Sequence, residues 1–436
     1  VDNASAVDGA GAPRGRAGGF SDWLPGPAAR RRAVSDAFLD TFEAWGYGLV
    51  ATPLLEPVDT VAAGIGAGRQ QSLFRFMDAD GSLLALVGER TVSVARVVAT
   101  QLREGPFPLR LCYAGPVLRN QALLGGRRRE TLQAGCELIG SAELNADAEC
   151  VALAARAVES AGLGGVQIDV GHADFLPGLL EGAGLDDATR ERVLQALQDR
   201  DLVAVEAALE GTEVGEAERS LLLRFPALRG GREILDAAAQ GLRAERPRHA
   251  LDELRRLWDL LADHGLNGGV LHLDLGAVRD WDYYTGPTFE LFTRDLGFPL
   301  GAGGRYDTLL ARLGLPVPAT GFVIYVDRCC DALLRRESHV DAPAALRIGW
   351  AHGKEATALA LAQRLRDRGL RVAADLAASD AAGSGVHAYI DSNGTPRWQE
   401  GAAWRSAATL DDAVEALHAP APAPPPAHTV ALERGA

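Results

Sequence analysis

The sequence predicts an α+β fold in which an antiparallel sheet is flanked by helices, with a helical insertion and a small α/β domain towards the C-terminus. Three observations carry this expectation. Two strand-like runs, LRLCYAGPVLR (109–119) and ETLQAGCELIG (130–140), are joined by a polar loop rich in Gly and Arg, the pattern of a long antiparallel hairpin. Residues 172–266 are helical by pattern almost throughout, rich in Leu, Ala, Glu and Arg with breaks at Gly and Pro. Residues 346–418 alternate strand, helix, strand, strand, which suggests a mostly parallel sheet.

Taken in order, residues 1–20 are small, polar and Gly-rich, and predict a disordered lead-in. Residues 29–45 place Val34, Phe38 and Phe42 at helical spacing until Gly46 ends the run. Strand-like pieces follow at 48–53, 73–77 and 83–87, with MDADGS as a hairpin turn, and 91–103 is again helical. After the long hairpin comes an amphipathic helix at 145–161, then the insertion. Strands return at 269–275 and 283–293; GAGGRYDTLLARLG (301–314) reads as a glycine turn entering a helix, and ATGFVIYVDRCCDALL (319–334) as strand into helix. The main body therefore spans 21–335, a linker 336–345, the small domain 346–418, and a Pro/Ala-rich tail 419–436.

Composition narrows the function classes. No apolar run is long enough to span a bilayer and the N-terminus lacks a signal-peptide core, which predicts a cytoplasmic protein. The five cysteines form no CxxC pair and the nine histidines show no metal-ligand spacing, so neither a metal nor a cofactor is expected. A formal charge of −14 argues against an extended nucleic-acid surface. Arginine supplies nearly all positive charge, Lys354 being the one lysine.

Four segments carry more chemistry than a core or a solvated surface needs. On the hairpin, Arg119 ends one strand, Arg127 and Arg129 lie in the loop, and Gln133 and Glu137 share one face of the return strand at period two. In VRDWDYYTGPTFELF, Arg279, Asp282, Tyr283 and Tyr284 crowd beside a turn, a set suited to a zwitterion or an imidazole. GAGGRYD lacks the GK[ST] of a Walker loop. TGFVIYVDR delivers Asp327 and Arg328 from the end of an apolar strand, either into a site or as a helix cap.

Together these segments resemble the histidyl-tRNA synthetase branch of the class II aminoacyl-tRNA synthetases over about residues 22–335. TPLLEP (52–57) is similar to motif 1, YAGPVLRNQ…GRRRETLQAGCELIG to motif 2 and ATGFVIYVDR to motif 3; AVRDWDYYTGPTFE and GAGGRYDTLL mirror the histidine signatures. The resemblance implies a class II synthetase-like sheet and a histidine pocket formed by Glu89, Thr91, Gln133, Glu137, Tyr283 and Tyr284, with Arg119 and Arg279 towards the carboxylate. Glu89 and Gln133 would take the α-ammonium, and Glu137 and Tyr284 the imidazole nitrogens.

The nucleotide side, carried over to Gln121, Arg127, Arg129, Thr131 and Arg328, departs from the family. Gln121 replaces a Glu, Thr131 an aromatic that stacks on adenine, Leu132 a His and Asp327 a Glu; Val87–Gly88–Glu89 stands where the family has Arg-Pro-Glu. Residues 341–436 hold nine Lys/Arg against eleven Asp/Glu, a poor surface for an anticodon. The pattern is similar to the synthetase-like regulatory subunits of ATP phosphoribosyltransferase. That resemblance implies a non-catalytic chain that activates a short-form catalytic subunit in histidine biosynthesis and helps confer feedback by L-histidine. It also implies a homodimer through motif 1 within a larger hetero-oligomer, without tRNA, membrane or cofactor. An active histidyl-tRNA synthetase, for which Arg279 speaks, and a stand-alone histidine sensor are the alternatives.

Overall fold

The computed structural model describes residues 15–64, 71–123, 128–276, 284–336, 345–379, 385–400 and 403–418. The chain divides into two units, Val1–Val340 and Asp341–Ala436, each with its own core.

In the first unit, helix α1 (Pro25–Ala44) carries proline in its opening turn, where a missing N–H costs nothing, and buries Val34, Phe38 and Phe42. Strand β1 (Gly48–Leu49) follows, then β2 (Leu55–Pro57), α2 (Val58–Gly64), β3 (Arg75–Met77) and β4 (Leu83–Leu86). Strands β2, β4 and β3 pair antiparallel, in that order, as a small sheet that leaves Leu55, Phe76, Met77 and Leu83 exposed. Helix α3 (Arg90–Gln101) is tied to this sheet by the ion pair of Arg96 with Glu56, at 2.9 Å.

Strands β5 (Leu109–Leu118) and β6 (Glu130–Ile139) then pair along their whole length, Leu109 opposite Ile139 and Leu118 opposite Glu130. This register sends Ala134, Cys136 and Leu138 into the main core and turns Gln133 and Glu137 to the other face. Helix α4 (Leu144–Ser160) covers the core face with Cys150, Leu153, Ala154 and Ala157. Strand β7 (Gln167–His172) leads into the insertion, made of α5 (Phe175–Gly182), α6 (Asp187–Gln198), α7 (Leu202–Leu209), α8 (Glu216–Arg224), β8 (Arg229–Gly230), α9 (Glu233–Ala239) and α10 (Glu245–Asp263). Asp186 and Asp201 cap α6 and α7 by accepting the N–H groups of Thr189 and Ala204. Leu179, Val193, Leu209 and Leu254 are continuous with the core of the sheet, so the insertion is packed into the same hydrophobic body.

Strands β9 (Leu271–Asp274), β10 (Pro287–Phe292) and β11 (Gly301–Arg305), helix α11 (Leu309–Arg312), strand β12 (Ala319–Tyr325) and helix α12 (Val326–Arg335) complete the unit. The nine-stranded sheet runs β1-β5-β6-β12-β11-β10-β7-β9-β8, antiparallel except for the parallel pairs β1–β5 and β7–β9. The glycine turn expected at 301–304 is in fact the strand β11, buried throughout. Its glycines serve close packing rather than reversal: a Cβ on Gly303 would stand 2.5 Å from the Gly321 carbonyl oxygen. Gly18–Phe20, within the stretch expected as a disordered lead-in, lie against the hairpin. Gly19 accepts the Arg129 N–H at 2.8 Å and the Phe20 ring packs near Phe74.

The second unit contains β13 (Leu346–Trp350), α13 (Glu355–Asp367), β14 (Val372–Ala374), β15 (Ala388–Ile390), β16 (Pro396–Glu400), β17 (Ala403–Ser406) and α14 (Leu410–His418). Its sheet runs β14-β13-β15-β16-β17, with the first two pairings parallel and the last two antiparallel, in place of the mostly parallel sheet expected. The turn at Asp391–Thr395 causes the difference. The Asp391 carboxylate accepts the N–H groups of Asn393 and Thr395, and Gly394 adopts a φ of +85°, which folds β16 back on β15. Residues 1–14 and the tail 419–436 lie outside the described residues. No helix among the described residues is long and apolar enough to cross a membrane.

One buried ion pair joins β11 to α4. The Arg305 guanidinium reaches the Asp147 carboxylate at 2.6 Å, and its remaining donors meet the carbonyls of Ser141 and Glu143 and the Asp307 carboxylate. Removing Asp147 takes from the buried guanidinium its nearest counter-charge and leaves it the more distant, more exposed Asp307. Asp147→Ala should cost about 3–5 kcal/mol, measured by urea unfolding, while the double change Asp147→Leu with Arg305→Met should recover most of that loss.

Candidate ligand-binding site

Strand β6 supplies the centre of the site. Glu137 is buried, and its carboxylate accepts the Tyr306 hydroxyl, the Tyr113 hydroxyl at 3.3 Å and the Thr91 hydroxyl. Space for that carboxylate exists because position 321 on the facing strand is glycine: a Cβ there would lie 2.0 Å from a Glu137 oxygen. Gly135, likewise, lets the Tyr113 ring cross the strand, since a Cβ would sit 2.7 Å from its hydroxyl. Burial raises the Glu137 pKa to about 8, the hydroxyl donors opposing the shift and the nearby Glu89 carboxylate adding to it. Burial also raises the Tyr113 and Tyr306 hydroxyls well above their usual range, so both remain donors.

Four residues further back on the same face, Gln133 is fully buried, and among the described residues neither its amide nitrogen nor its amide oxygen has a partner. An orphaned buried amide costs about 1–3 kcal/mol, a cost that a polar ligand would remove. Glu89 is the N-cap residue of α3, and its side chain makes no capping hydrogen bond to the helix. With Thr91, Tyr284, Tyr306 and Gly321 it lines a small pocket. The free volume there is about 10 Å³, room for roughly one water molecule.

The remaining expected residues spread along the hairpin and beyond. Arg119 donates from Nε to the Gly88 carbonyl at 2.9 Å, one residue from Glu89. Gln121 spends its amide nitrogen on the Arg128 carbonyl at 2.7 Å, and Arg129 donates to the Gln121 carbonyl at 3.2 Å, so both fasten the base of the loop. Thr131 is half-buried on β6, on the same face as Gln133. Arg328 lies over the rings of Tyr325 and Phe298, 4.1 and 5.0 Å from their centroids, and donates to the Pro299 carbonyl; burial lowers its pKa. Its neighbour Asp327 faces inward, bound to Arg31 at 2.6 Å and to the Leu132 N–H at 3.0 Å, which ties α1, β6 and α12 together. Arg127, Arg279 and Tyr283 lie outside the described residues.

Sequence reasoning missed Tyr113 and Tyr306, two of the three hydroxyls that hold Glu137. Their signal was present: Tyr113 faces Gly135 across the hairpin, and Tyr306 follows the glycines of β11. It also missed Arg90. This buried guanidinium, held by Thr52 and by the Pro116 carbonyl, braces the start of α3 between Glu89 and Thr91.

A family model described as histidyl-tRNA synthetase matches residues 19–329. The chain belongs to this family. Within it, the chain is 40% identical over 360 residues to the ATP phosphoribosyltransferase regulatory subunit of Geobacter sulfurreducens, covering 82% of each protein. The structure described as an ATP phosphoribosyltransferase regulatory subunit/histidyl-tRNA synthetase from Bacillus halodurans superposes with a TM-score of 0.74 at 31% identity, covering 82% of this chain and 91% of that one. The histidyl-tRNA synthetase of Nostoc shares the fold at a TM-score of 0.76 and 19% identity, over 93% of this chain and 99% of that one. The class II synthetase-like sheet with its helical insertion is thus the fold of this synthetase family.

The raised Glu137 acid makes stability depend on pH. Between its unfolded value near 4.5 and its folded value near 8 the native state holds a proton that the unfolded chain has released. Native stability therefore falls as pH rises through this window and levels off above it. Glu137→Gln removes the effect: its melting temperature, compared with the parent, should gain steadily from pH 5 to 8 in differential scanning calorimetry. A gap independent of pH would contradict the assignment.

Proposed function

We propose that this chain is the non-catalytic regulatory subunit of ATP phosphoribosyltransferase, activating a short catalytic subunit at the start of histidine biosynthesis and making it sensitive to histidine. The observation that carries this reading is the likeness to proteins of that name, 40% identical over 82% of the chain in one case and 38% over 87% in another, from Symbiobacterium thermophilum.

The pocket supports histidine as the ligand. The buried Gln133 amide, with no partner at either end, and the carboxylates of Glu89 and Glu137 suit the α-ammonium and ring N–H groups of an amino acid with a basic ring. Ligands that offer Gln133 no partner would leave its buried amide unsatisfied, an origin of rejection in such sites. On the nucleotide side, Gln121 and Arg129 are engaged in closing the hairpin and Thr131 offers no aromatic face, in keeping with a chain that does not form adenylates. The exposed Leu55, Phe76, Met77 and Leu83 of the small sheet beside motif 1 fit an isologous dimer contact. For histidine to inhibit, it must favour one arrangement of the complex over another.

Co-expression with a short phosphoribosyltransferase should give a complex whose activity depends on this chain and falls with added histidine. Histidine-dependent ATP–pyrophosphate exchange by the chain alone would instead make it a synthetase, and histidine binding without any effect on the transferase would make it a stand-alone sensor. In calorimetric titrations, Glu137→Ala should weaken histidine binding at least tenfold, against less than threefold for Arg328→Ala; equal losses would place the pocket elsewhere.

A further inference from the structure

Helix α1 carries three consecutive arginines, and the fold treats them differently. Arg31 sends Nε to the Asp327 carboxylate of α12 at 2.6 Å, and Arg32 pairs with Asp36 on its own helix at 3.3 Å. Arg30 lies one turn before Val34, among the residues that α1 buries, and is only 8% exposed. Its Nε is buried without a partner, and among the described residues its guanidinium makes no hydrogen bond and no ion pair. The carboxylates nearby are already taken. Asp327 and Asp331 stand one turn apart on α12; the first is held by Arg31 and the Leu132 N–H, the second by Arg128 of the hairpin at 3.1 Å. Cys330, a buried thiol between them in sequence, lies within electrostatic range of Arg30, Arg31, Asp327 and Asp331 together.

The junction of α1, α12 and the hairpin thus sets Arg30, Arg31 and Arg128 against two carboxylates, with one cation left over. Arg31 and Arg128 are each committed twice, since both guanidiniums also lie over the Trp23 ring, 4.8 and 5.3 Å from its centroid. Arg30 is the one with donors to spare. A guanidinium cannot escape burial by losing its proton, and a charge held from water without a counter-ion is costly. Its planar fork of N–H groups matches the oxygens of a phosphoryl group. We propose that Arg30 anchors an oxyanion site at the junction of α1 and α12, taking phosphate or diphosphate. The multiple charge of such an ion draws on the field of Arg31 and Arg128 as well as on Arg30. A small ion fits the remaining access, whereas a partner's protein segment would need a more open guanidinium. The site is separate from the Glu137 pocket: α1 packs into the core that holds Cys136 and Leu138, on the opposite face of β6 from Glu137.

Differential scanning calorimetry of the full chain in millimolar phosphate or diphosphate, with ionic strength held constant by sodium chloride, reads occupancy as stability. An ion bound only by the folded chain raises the melting temperature, and the parent should gain at least about 2 °C from either. Arg30→Met removes the charge and keeps most of the volume. It should lose that gain and, in chloride alone, melt at or above the parent, because a buried charge without a counter-ion has gone. General salting-out by phosphate acts on both proteins and cancels in the comparison. Arg32→Met, on the exposed side of the helix, should respond as the parent does. Arg30→Lys keeps the charge without the fork and should retain less than half of the gain, a readout that stands even if Arg30→Met does not fold. The phosphorus resonance of phosphate should broaden in the presence of the parent chain and much less with Arg30→Lys. Equal phosphate gains in the parent and both Arg30 variants, or a lower melting temperature for Arg30→Met in chloride, overturn the site and make Arg30 a packing residue. An acetate gain as large as that from phosphate overturns the phosphoryl assignment.

Discussion

Strand β6 works on two faces at once, and its register is the constraint on which the first unit depends. Alternate residues Ala134, Cys136 and Leu138 are pressed into the largest core, under α4, while Gln133 and Glu137 look the other way. A slip of one residue would exchange the two sets and bury carboxylate and amide among aliphatic side chains. The pairing is held on both sides over the length of the strand, by β5 from Leu109 to Leu118 and by β12 from Ala319 to Tyr325. Hydrophobic burial on one face thus fixes, to within a hydrogen-bond length, the polar groups on the other.

This arrangement stores unfavourable terms where the ligand is expected. Glu137 is kept out of water, Gln133 is unpartnered, and glycines at 135 and 321 surrender side-chain packing to make room. The compensation lies elsewhere, in the continuous core shared by sheet and insertion and in ion pairs such as Arg305 with Asp147 and Arg31 with Asp327. Binding sites commonly show this division between a strained or unsatisfied locus and a well-satisfied scaffold.

Much of the architecture was legible from periodicity. The hairpin of β5 and β6 announces itself by two long alternating runs around an Arg/Gly loop, and Phe38 and Phe42 mark α1 plainly. The reading failed where glycine means two things. In β11 glycine is a spacer between crowded strands, and local pattern cannot separate that use from a turn, because the neighbours that crowd it arrive from β10 and β12. The same blindness hid Tyr306, whose partner Glu137 is distant in sequence. Glu89, Gln133 and Glu137 were expected through motif resemblance, whereas the unsatisfied state of Gln133 needed three-dimensional packing to be seen. Asp327 was ambiguous between site and scaffold, and its bonds to Arg31 and the Leu132 N–H make it scaffold.

The buried Arg90 side chain bridges two parts of the first unit. One end of its guanidinium grips the Thr52 carbonyl and hydroxyl, next to the exposed apolar residues Leu54 and Leu55; the other grips Pro116, beside the Gly115 that faces Gln133. Its backbone is the link between Glu89 and Thr91. The segment that carries Leu54 and Leu55 and the start of α3, which carries Glu89 and Thr91, are therefore joined to each other and to β5 through one buried side chain.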